Sequence, residues 1–212
     1  RVPSGADTVV MQENTTTDGK QITIVKVPNK GQFIRAGGLD FRAGEIGLKA
    51  GQRLTPRAIG YAASMNHPWL TVRRKPRVAI LATGDEIVMP GDPIGTNQIV
   101  SSNSHALAAA VQSYGGEPFN LGIAPDERQG LKTMAAGARG ADILVTTGGA
   151  SVGDHDLVQS VLGEIGLELD FWKIAMRPGK PLIWGKIGDT PLLGLPGNPV
   201  STAVCALVFL AP

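Results

Sequence analysis

The pattern of apolar and polar positions changes near residue 76. From Arg77 onward, short apolar runs alternate with segments that carry an apolar stripe at helical spacing. This pattern predicts strands at 78–83, 119–123 and 143–145, and helices at 103–114, 126–138 and 156–165. Strands and helices that alternate through short connections form a parallel sheet covered by helices on both faces. We therefore predict an α/β domain over residues 76–212.

The alternation stops after Gly166. Three strand candidates follow at 167–176, 181–187 and 191–195. Gly188-Asp189, between the last two, fits a two-residue hairpin turn. Asn198 then suits the N-cap of a C-terminal helix whose first position is Pro199. The end of the domain is thus predicted as strands, a hairpin and a capped helix.

The first 75 residues are less regular. Residues 9–11 and 22–27 predict two strands around a turn at Asp18-Gly19. Thr55 as N-cap and Pro56 at the first helical position predict the start of a helix. The basic segment at 73–76 is typical of a charged linker and marks a domain boundary, with anion binding as the alternative.

Composition and charge exclude several classes of function. The net charge of +2 is too small to indicate a nucleic-acid or membrane-surface partner. The longest apolar run, at 200–211, is well short of the ~20 residues that span a bilayer, and the first residues lack a signal-peptide pattern. The single cysteine, Cys205, can form no internal disulfide. We therefore expect a cytoplasmic globular protein.

A loop of small residues follows the strand at 143–145. Its threonine, glycine and serine residues let backbone N–H groups approach an anion, and a predicted helix follows directly. Asp154 and Asp156 would repel a phosphate unless a divalent cation such as Mg²⁺ lay between them. The loop matches neither the Walker A nor the GxGxxG motif. An ordinary strand-to-helix turn is the alternative.

Polar groups also follow other predicted strands. The TGDE motif at 83–86 and Asp126 each come after a strand, and a basic segment lies at 173–180. Lys173 and Arg177 are four residues apart, so on an extended chain they would share one face, and Lys180 adds a third cation. No histidine is placed to activate a serine, and no Cys/His spacing indicates zinc. This layout predicts an oxyanion ligand held together with Mg²⁺.

Ser201 lies in the first turn of the predicted C-terminal helix. The first N–H groups of a helix lack intrahelical partners and are positively polarised. We therefore predict an oxyanion site with free N–H groups around Ser201. A capped helix without a ligand is the alternative.

Several motifs occur together and in order along the chain. They are SGADTVV at 4–10, LTP at 54–56, TGDE at 83–86, TGGASVGD at 147–154, MRPGKP at 176–181 and LPGNPVS at 195–201. With these motifs the chain resembles the MoeA family of molybdopterin molybdenumtransferases. The resemblance implies molybdenum-cofactor biosynthesis, in which molybdate replaces AMP on adenylylated molybdopterin with the help of Mg²⁺. It also implies a homodimer whose active site lies in a cleft formed by both chains.

The resemblance further implies a division of the chain. Residues 1–37 would be the end of an inserted β domain, 38–75 part of an elongated dimerisation domain, and 76–212 the molybdopterin-binding domain. Family members extend beyond both ends of this sequence, so we expect a fragment that turns over poorly. The related molybdopterin adenylyltransferase and a non-catalytic pterin-binding or scaffold protein are the alternatives.

Site residues follow from the resemblance and from the polar strand ends. The expected catalytic residues are Asp126, Asp156, Lys173 and Arg177, and the expected metal ligands are Glu86, Asp126 and Asp156. The expected substrate-binding residues are Thr83, Glu86, Ser102, Asn103, Thr147, Gly148, Gly149, Ser151, Gly153, Lys180, Asn198 and Ser201. Two residues depart from the family pattern: Arg177 stands where lysine is frequent, and Ser101 where an acidic residue is frequent.

Overall fold

The structure is a computed structural model that describes residues 2–148 and 161–211. It comprises two compact units, Arg1–Val72 and Arg73–Pro212. Among the described residues, no helix is long and apolar enough to cross a membrane. Half of the predicted helix at 156–165 lies outside the described residues; of the other half, residues 161–164 are helical.

The first unit contains a small hairpin and one helix. Strands β1 (Thr15–Thr17) and β2 (Ile22–Ile24) pair antiparallel around the predicted Asp18-Gly19 turn. The Asp18 carboxylate closes this turn, since it accepts the N–H groups of Lys20 and Gln21 at 2.9 and 2.7 Å. Helix α1 (Pro56–Ser64) begins as predicted, with Thr55 Oγ1 accepting the Ala58 N–H.

The predicted strand at 9–11 is wrong. This stretch forms no strand, because the Val9 N–H donates to the Gln32 carbonyl at 3.3 Å in a loop contact, not in a ladder. A 3₁₀ turn, Gln12–Asn14, follows and delivers the chain into β1. The hairpin therefore starts later than the apolar run at 9–11 indicates.

The second unit has the predicted α/β fold. Its strands are β3 (Arg77–Thr83), β4 (Ile87–Val88), β5 (Ile99–Val100), β6 (Glu117–Ala124), β7 (Ile143–Thr147), β8 (Leu167–Lys173), β9 (Pro181–Ile187) and β10 (Thr190–Leu195). Its labelled helices are α2 (Asn103–Ser113), α3 (Arg128–Ala136) and α4 (Pro199–Cys205), which continues as a π-helix, Ala206–Leu210.

Six strands form the main sheet in the order β6-β3-β7-β10-β9-β8. Strands β6, β3, β7 and β10 are parallel, whereas β9 is antiparallel to both of its neighbours. The sheet is therefore mixed and not wholly parallel. The cause is the predicted turn at Gly188-Asp189, where Gly188 has a φ of 58° and the chain reverses from β9 into β10.

Helices cover both faces of this sheet, as predicted. One face packs Leu81 and Leu144 against Leu131 of α3 and against Leu162. The other face packs Ile80, Val145 and Leu193 against Leu107 of α2 and Cys205 of α4. Neighbouring residues Ile80 and Leu81 are both fully buried because successive side chains of a strand point to opposite faces. The central strands are thus fixed from both sides, and their ends are held in register.

The carboxyl ends of β3, β7 and β10 meet at one edge of the sheet, because these strands are parallel. Strand β8 also ends at this edge and β9 begins there, since β9 runs antiparallel and pairs Lys173 with Pro181. Open α/β sheets bind ligands beyond the carboxyl ends of their strands. At the opposite ends of these strands, Asp142 makes polar contacts with Arg74 and Arg77.

Asp142, just before β7, ties the start of the second unit to the sheet. Its carboxylate accepts two hydrogen bonds from the Arg74 guanidinium, at 2.5 and 2.7 Å, and one from the Arg77 N–H at 2.7 Å. The Arg74 guanidinium, followed by this N–H, lowers the pKa of the Asp142 carboxyl to about 2. Arg74, in the basic segment predicted as a linker, therefore binds a carboxylate of the same chain, that of Asp142.

Replacing Asp142 with asparagine is expected to destabilise the protein at neutral pH. The folded-state pKa is lowered from 3.8 to about 2, so the stabilisation is complete above about pH 4 and is lost as the pH falls through 2. Urea unfolding of both proteins between pH 7 and 2 should show a difference that narrows below pH 4. Asp92→Asn, at an exposed loop carboxyl, is the control. A difference that did not change with pH would contradict this role.

Candidate ligand-binding cleft

A cleft of about 420 Å³ opens at the carboxyl edge of the sheet. Strands β3 and β7 end in it, and the loop after β10 and the starts of α2 and α4 form its walls. Its lining residues are Thr83, Glu86, Ile87, Ile99, Val100, Ser101, Ser102, Asn103, Thr147, Gly148, Pro181, Pro196, Gly197, Asn198, Pro199 and Ser201. Hydroxyl and amide groups predominate among the polar lining residues.

Eight of the residues expected in the site line this cleft. They are Thr83, Glu86, Ser102, Asn103, Thr147, Gly148, Asn198 and Ser201. Asp126, Lys173, Arg177 and Lys180 are not among the lining residues. Gly149, Ser151, Gly153 and Asp156 lie outside the residues that the structure describes. The structure thus brings together motifs that are as much as 118 residues apart in the sequence, from Thr83 to Ser201.

Sequence reasoning missed one wall of the cleft. The two-residue strands β4 and β5 pair in parallel, and Ile87, Ile99 and Val100 from them line the cavity. Two apolar residues in a row are too short a signal to predict a strand. Ser101 also lines the cleft; it is 4% exposed, and its hydroxyl pairs with that of Ser104 at 3.3 Å.

Two glycines allow close backbone contact at the bottom of the cleft. Gly148 has a φ of 92°, and a Cβ atom there would lie 2.2 Å from the Thr83 carbonyl oxygen. A Cβ atom on Gly197 would lie 3.4 Å from the Gly148 Cα. Gly148 is required for both reasons, because L-residues rarely adopt this backbone conformation and the neighbouring atom is itself backbone.

A hydrogen-bond network holds the loop formed by Pro196, Gly197 and Asn198, called here the 196–198 loop. Asn103 Nδ2 donates to Thr147 Oγ1 at 3.1 Å and to the Gly197 carbonyl at 2.8 Å. Thr147 Oγ1 donates to the Pro196 carbonyl at 3.3 Å. Thr202 Oγ1 reaches the same carbonyl at 2.5 Å. The loop is thus attached to α2, β7 and α4.

The helix start at Ser201 differs from the prediction. Asn198 is the N-cap, as predicted, and its Oδ1 accepts the N–H groups of Val200 and Ser201 at 3.0 and 3.2 Å. The prediction of free N–H groups around Ser201 is therefore wrong at these two positions, because the capping side chain occupies them. Ser201 lines the cleft from the first turn of α4.

The predicted shared face of Lys173 and Arg177 is also wrong. Strand β8 ends at Lys173, and the chain turns over the next residues, where the Ile174 N–H donates to the Lys180 carbonyl at 3.0 Å. Gly179 in this turn has a φ of 113° and packs so tightly that a Cβ atom there would lie 2.6 Å from Cys205 Sγ. Arg177 therefore belongs to a turn beside Pro181, which lines the cleft.

Lys173 makes a contact that the sequence pattern did not indicate. Its Nζ lies 3.6 Å from the centroid of the Trp172 ring, in a cation–π arrangement. The side chain is exposed at the edge of the sheet where the cleft opens. Lys173 is thus held near the cleft without lining it.

The expected metal ligands are only partly described. Glu86 lines the cleft, and the Asp126 N–H donates to Asp85 Oδ1 at 3.0 Å. Within residues 2–148 and 161–211, no group of three or more His, Cys, Asp or Glu side chains could hold a metal ion. Asp156 lies outside these ranges. The described residues therefore do not form a Mg²⁺ site by themselves.

Thr83 provides a buried polar atom at the cleft. The residue is 1% exposed, and its Oγ1 has no hydrogen-bond partner among the described residues. Burying a hydroxyl without a partner is costly, and native proteins usually avoid it. Thr83 is also one of the residues that line the cleft.

The comparisons with known proteins agree with this fold. Residues 79–212 match the family described as a probable molybdopterin binding domain, and residues 1–66 match the MoeA N-terminal region. Molybdopterin molybdenumtransferases from Nostoc sp. and Haemophilus influenzae are 40% and 37% identical to the whole of this chain. The chain covers 49% and 52% of their lengths, so it spans about half of the curated relatives that it matches.

A solved structure shows the same arrangement of elements. The crystal structure of a molybdopterin biosynthesis MoeA protein from Pyrococcus horikoshii is similar with a TM-score of 0.79 and 34% identity. The match covers 99% of this chain and 52% of that chain. On the fold, the cleft motifs and these matches, the chain belongs to the MoeA family, with its probable molybdopterin binding domain at residues 79–212.

Proposed function

We propose that this chain provides the pterin- and oxyanion-binding cleft of a molybdopterin molybdenumtransferase, which places molybdate on adenylylated molybdopterin and releases AMP. The observation that carries the proposal is the cleft at the carboxyl edge of the sheet, lined by Thr83, Glu86, Asn103, Thr147 and Ser201. The transferase relatives from Nostoc sp. and Haemophilus influenzae support it. The reaction takes place in the molybdenum-cofactor pathway, and we propose that it takes place in the cytoplasm.

The cleft suits a flat, polar, largely uncharged group such as a pterin. Glu86 is the one formally charged residue among the described lining residues. Hydroxyl and amide groups can pair with the N–H and C=O groups of a heterocycle, and Ile87, Ile99 and Val100 provide apolar contact. The buried Thr83 hydroxyl gains in the ligand the partner that it lacks among the described residues.

We assign the binding of the anionic groups, molybdate and the AMP phosphate, to the basic segment at 173–180 beside the cleft. Lys173, Arg177 and Lys180 are exposed next to Pro181, which lines the cleft. Their charges would offset those of molybdate and of the departing AMP phosphate, and Arg177 can hold two oxygens at once. Catalysis would then rest on positioning and electrostatic stabilisation and not on a covalent intermediate.

Mg²⁺ belongs to the proposal only through the resemblance. A bound cation would neutralise phosphate charge, with Glu86, Asp126 and Asp156 as its expected ligands. The described residues do not complete such a site, so the proposed steps depend on the side chains of the chain itself. The homodimer with a shared active-site cleft is likewise a proposal.

Calorimetric titration with adenylylated molybdopterin, with and without molybdate and Mg²⁺, tests this function. Binding should occur without molybdate, and molybdate should trigger slow release of AMP, measured by chromatography. Sedimentation of the same samples reports the oligomeric state. ATP-dependent adenylylation of molybdopterin would contradict the proposal and indicate an adenylyltransferase. Pterin binding without AMP release, in a chain extended to the full length of its relatives, would indicate a non-catalytic binding protein.

A further inference from the structure

We propose that Thr202, together with Asn103, is a positioning residue that holds the 196–198 loop, and through it Ser201, in the geometry that binds the ligand. The inference rests on the proposed function of the cleft and deepens it. Thr202 was not among the residues expected in the site. It does not line the cleft, and it is 3% exposed. Its effect on a ligand must therefore pass through the residues that it contacts.

The contacts fix where the hydrogens of Asn103 and Thr147 go. The two Nδ2 hydrogens of Asn103 are used by Thr147 Oγ1 and by the Gly197 carbonyl. The Thr147 hydroxyl, which accepts from Asn103, donates its own hydrogen to the Pro196 carbonyl at 3.3 Å. A carbonyl oxygen can accept two hydrogen bonds, so the Pro196 carbonyl also accepts the single hydrogen of the Thr202 hydroxyl, which it shares with the Asn198 carbonyl.

This assignment changes the role expected of Asn103. Both of its donor hydrogens are committed to the protein, at 3.1 and 2.8 Å, so its amide nitrogen has none to offer a ligand. The resemblance placed Asn103 among the substrate-binding residues, whereas the contacts place it in the support of the loop.

Thr202 acts on the cleft through two short connections. Its hydroxyl lies 2.5 Å from the Pro196 carbonyl and 2.9 Å from the Asn198 carbonyl, so it contacts both ends of the 196–198 loop. Asn198 in turn accepts the N–H groups of Val200 and Ser201. Loss of the Thr202 hydroxyl should therefore loosen the cap and displace the Ser201 hydroxyl from the cleft wall.

Three variants test the inference. Thr202→Val removes the hydroxyl at similar size, and Thr202→Ser retains it. Thr133→Val on α3 is the matched control, since Thr133 Oγ1 also donates to a carbonyl four residues earlier, at 2.8 Å from Gln129 O, but lies away from the cleft. Amide hydrogen exchange at Val200 and Ser201 is measured by NMR, with the β3 amides as the reference for global opening. Molybdate affinity is measured on the same samples.

Thr202→Val should speed exchange at Val200 and Ser201 by about fivefold, the factor that one neutral hydrogen bond contributes. The β3 amides should be unchanged, Thr202→Ser should restore the wild-type rates, and Thr133→Val should leave them unaltered. Molybdate affinity should fall by a similar factor in Thr202→Val alone.

Faster exchange in β3 as well would overturn the inference, because Thr202 would then be only a structural core residue. Unchanged exchange at Val200 and Ser201 would overturn it too. Unchanged molybdate affinity in Thr202→Val, with normal binding by the wild type, would show that the loop does not position the ligand. If the wild type bound no molybdate, the proposed function would fail, whereas the exchange rates would still decide whether Thr202 holds the loop.

Discussion

Replacing Gly148 with alanine is expected to destabilise the protein by about 3 kcal/mol. Gly148 has a φ of 92°, a conformation that strains an L-residue. The added Cβ atom would also lie 2.2 Å from the carbonyl oxygen of Thr83, well inside van der Waals contact. Thr83 ends the buried strand β3 and is 1% exposed, so this carbonyl cannot move aside without disturbing the sheet. Both effects oppose the native fold.

Urea unfolding of Gly148→Ala measures the effect, and Gly163→Ala is the matched control. Gly163 is helical and exposed, and a Cβ atom there would meet nothing within 4 Å. Alanine at this position should stabilise the protein by roughly 0.5–1 kcal/mol. The same change would thus have opposite signs at the two glycines. A stability of Gly148→Ala within 0.5 kcal/mol of the wild type, taken as an order-of-magnitude limit, would contradict the close contact at the bottom of the cleft.

The elements that could be predicted from sequence are those with long and regular patterns. Strand β3 was predicted within one residue, because six of its seven residues are buried and form an apolar run. The starts of α1 and α4 were predicted correctly, since Thr55 with Pro56 and Asn198 with Pro199 are strong local signals. Local chemistry determined these features, so a local reading was sufficient.

The features that escaped prediction depend on distant residues. Strands β4 and β5 are two residues each and exist through their pairing with one another. The contact of Arg74 with Asp142 joins residues 68 apart in the sequence. Strand β8 ends at Lys173, and Gly179 in the following turn packs against Cys205 of α4, 26 residues further along the chain. None of these has a pattern of its own in the chain.

The sequence predicted where the candidate site lies but not which of its residues hydrogen-bond to one another. The carboxyl edge of the sheet follows from the order of elements, and motifs from β3, β7 and α4 converge there. Some of these motif residues, however, form hydrogen bonds with one another. The Asn198 side chain accepts two N–H groups that were predicted to be free for an oxyanion. Asn103 donates both of its amide hydrogens, one to Thr147 and one to the Gly197 carbonyl. A motif identifies the residues at a site but does not assign their partners.

Replacing Lys173 with alanine is expected to lower the affinity for a tetrahedral oxyanion by about tenfold to a hundredfold. A charge-assisted hydrogen bond contributes roughly 1.5–3 kcal/mol, which corresponds to this range. The contact of Nζ with the Trp172 ring, at 3.6 Å, places the effect toward tenfold, because part of the ammonium's interaction is given up if it turns to the anion. Competition binding of molybdate, tungstate and sulfate measures the change.

Lys186→Ala is the matched control for this variant. Lys186 lies on β9 and pairs with Glu168 at 2.8 Å, and its place near the end of β9 is remote from Lys173 and Pro181. The Lys186→Ala change removes the same formal charge as Lys173→Ala, so a general loss of positive potential would weaken oxyanion binding equally in both variants. A specific role of Lys173 predicts a loss in Lys173→Ala alone.

The salt dependence of this loss reports how exposed the bound anion is. Lys173 is exposed beside the cleft, so its contribution to oxyanion affinity should shrink as the salt concentration rises from 0.05 to 0.5 M, a range that shortens the Debye length from above about 10 Å toward 4 Å. Ser201→Ala should show a salt-independent loss, because its hydroxyl carries no charge. Equal affinities of Lys173→Ala and the wild type for all three oxyanions would show that Lys173 contributes no charge to oxyanion binding. Oxyanion binding would then have to rest on Arg177 and Lys180, because they are the other two cations proposed to bind the anion.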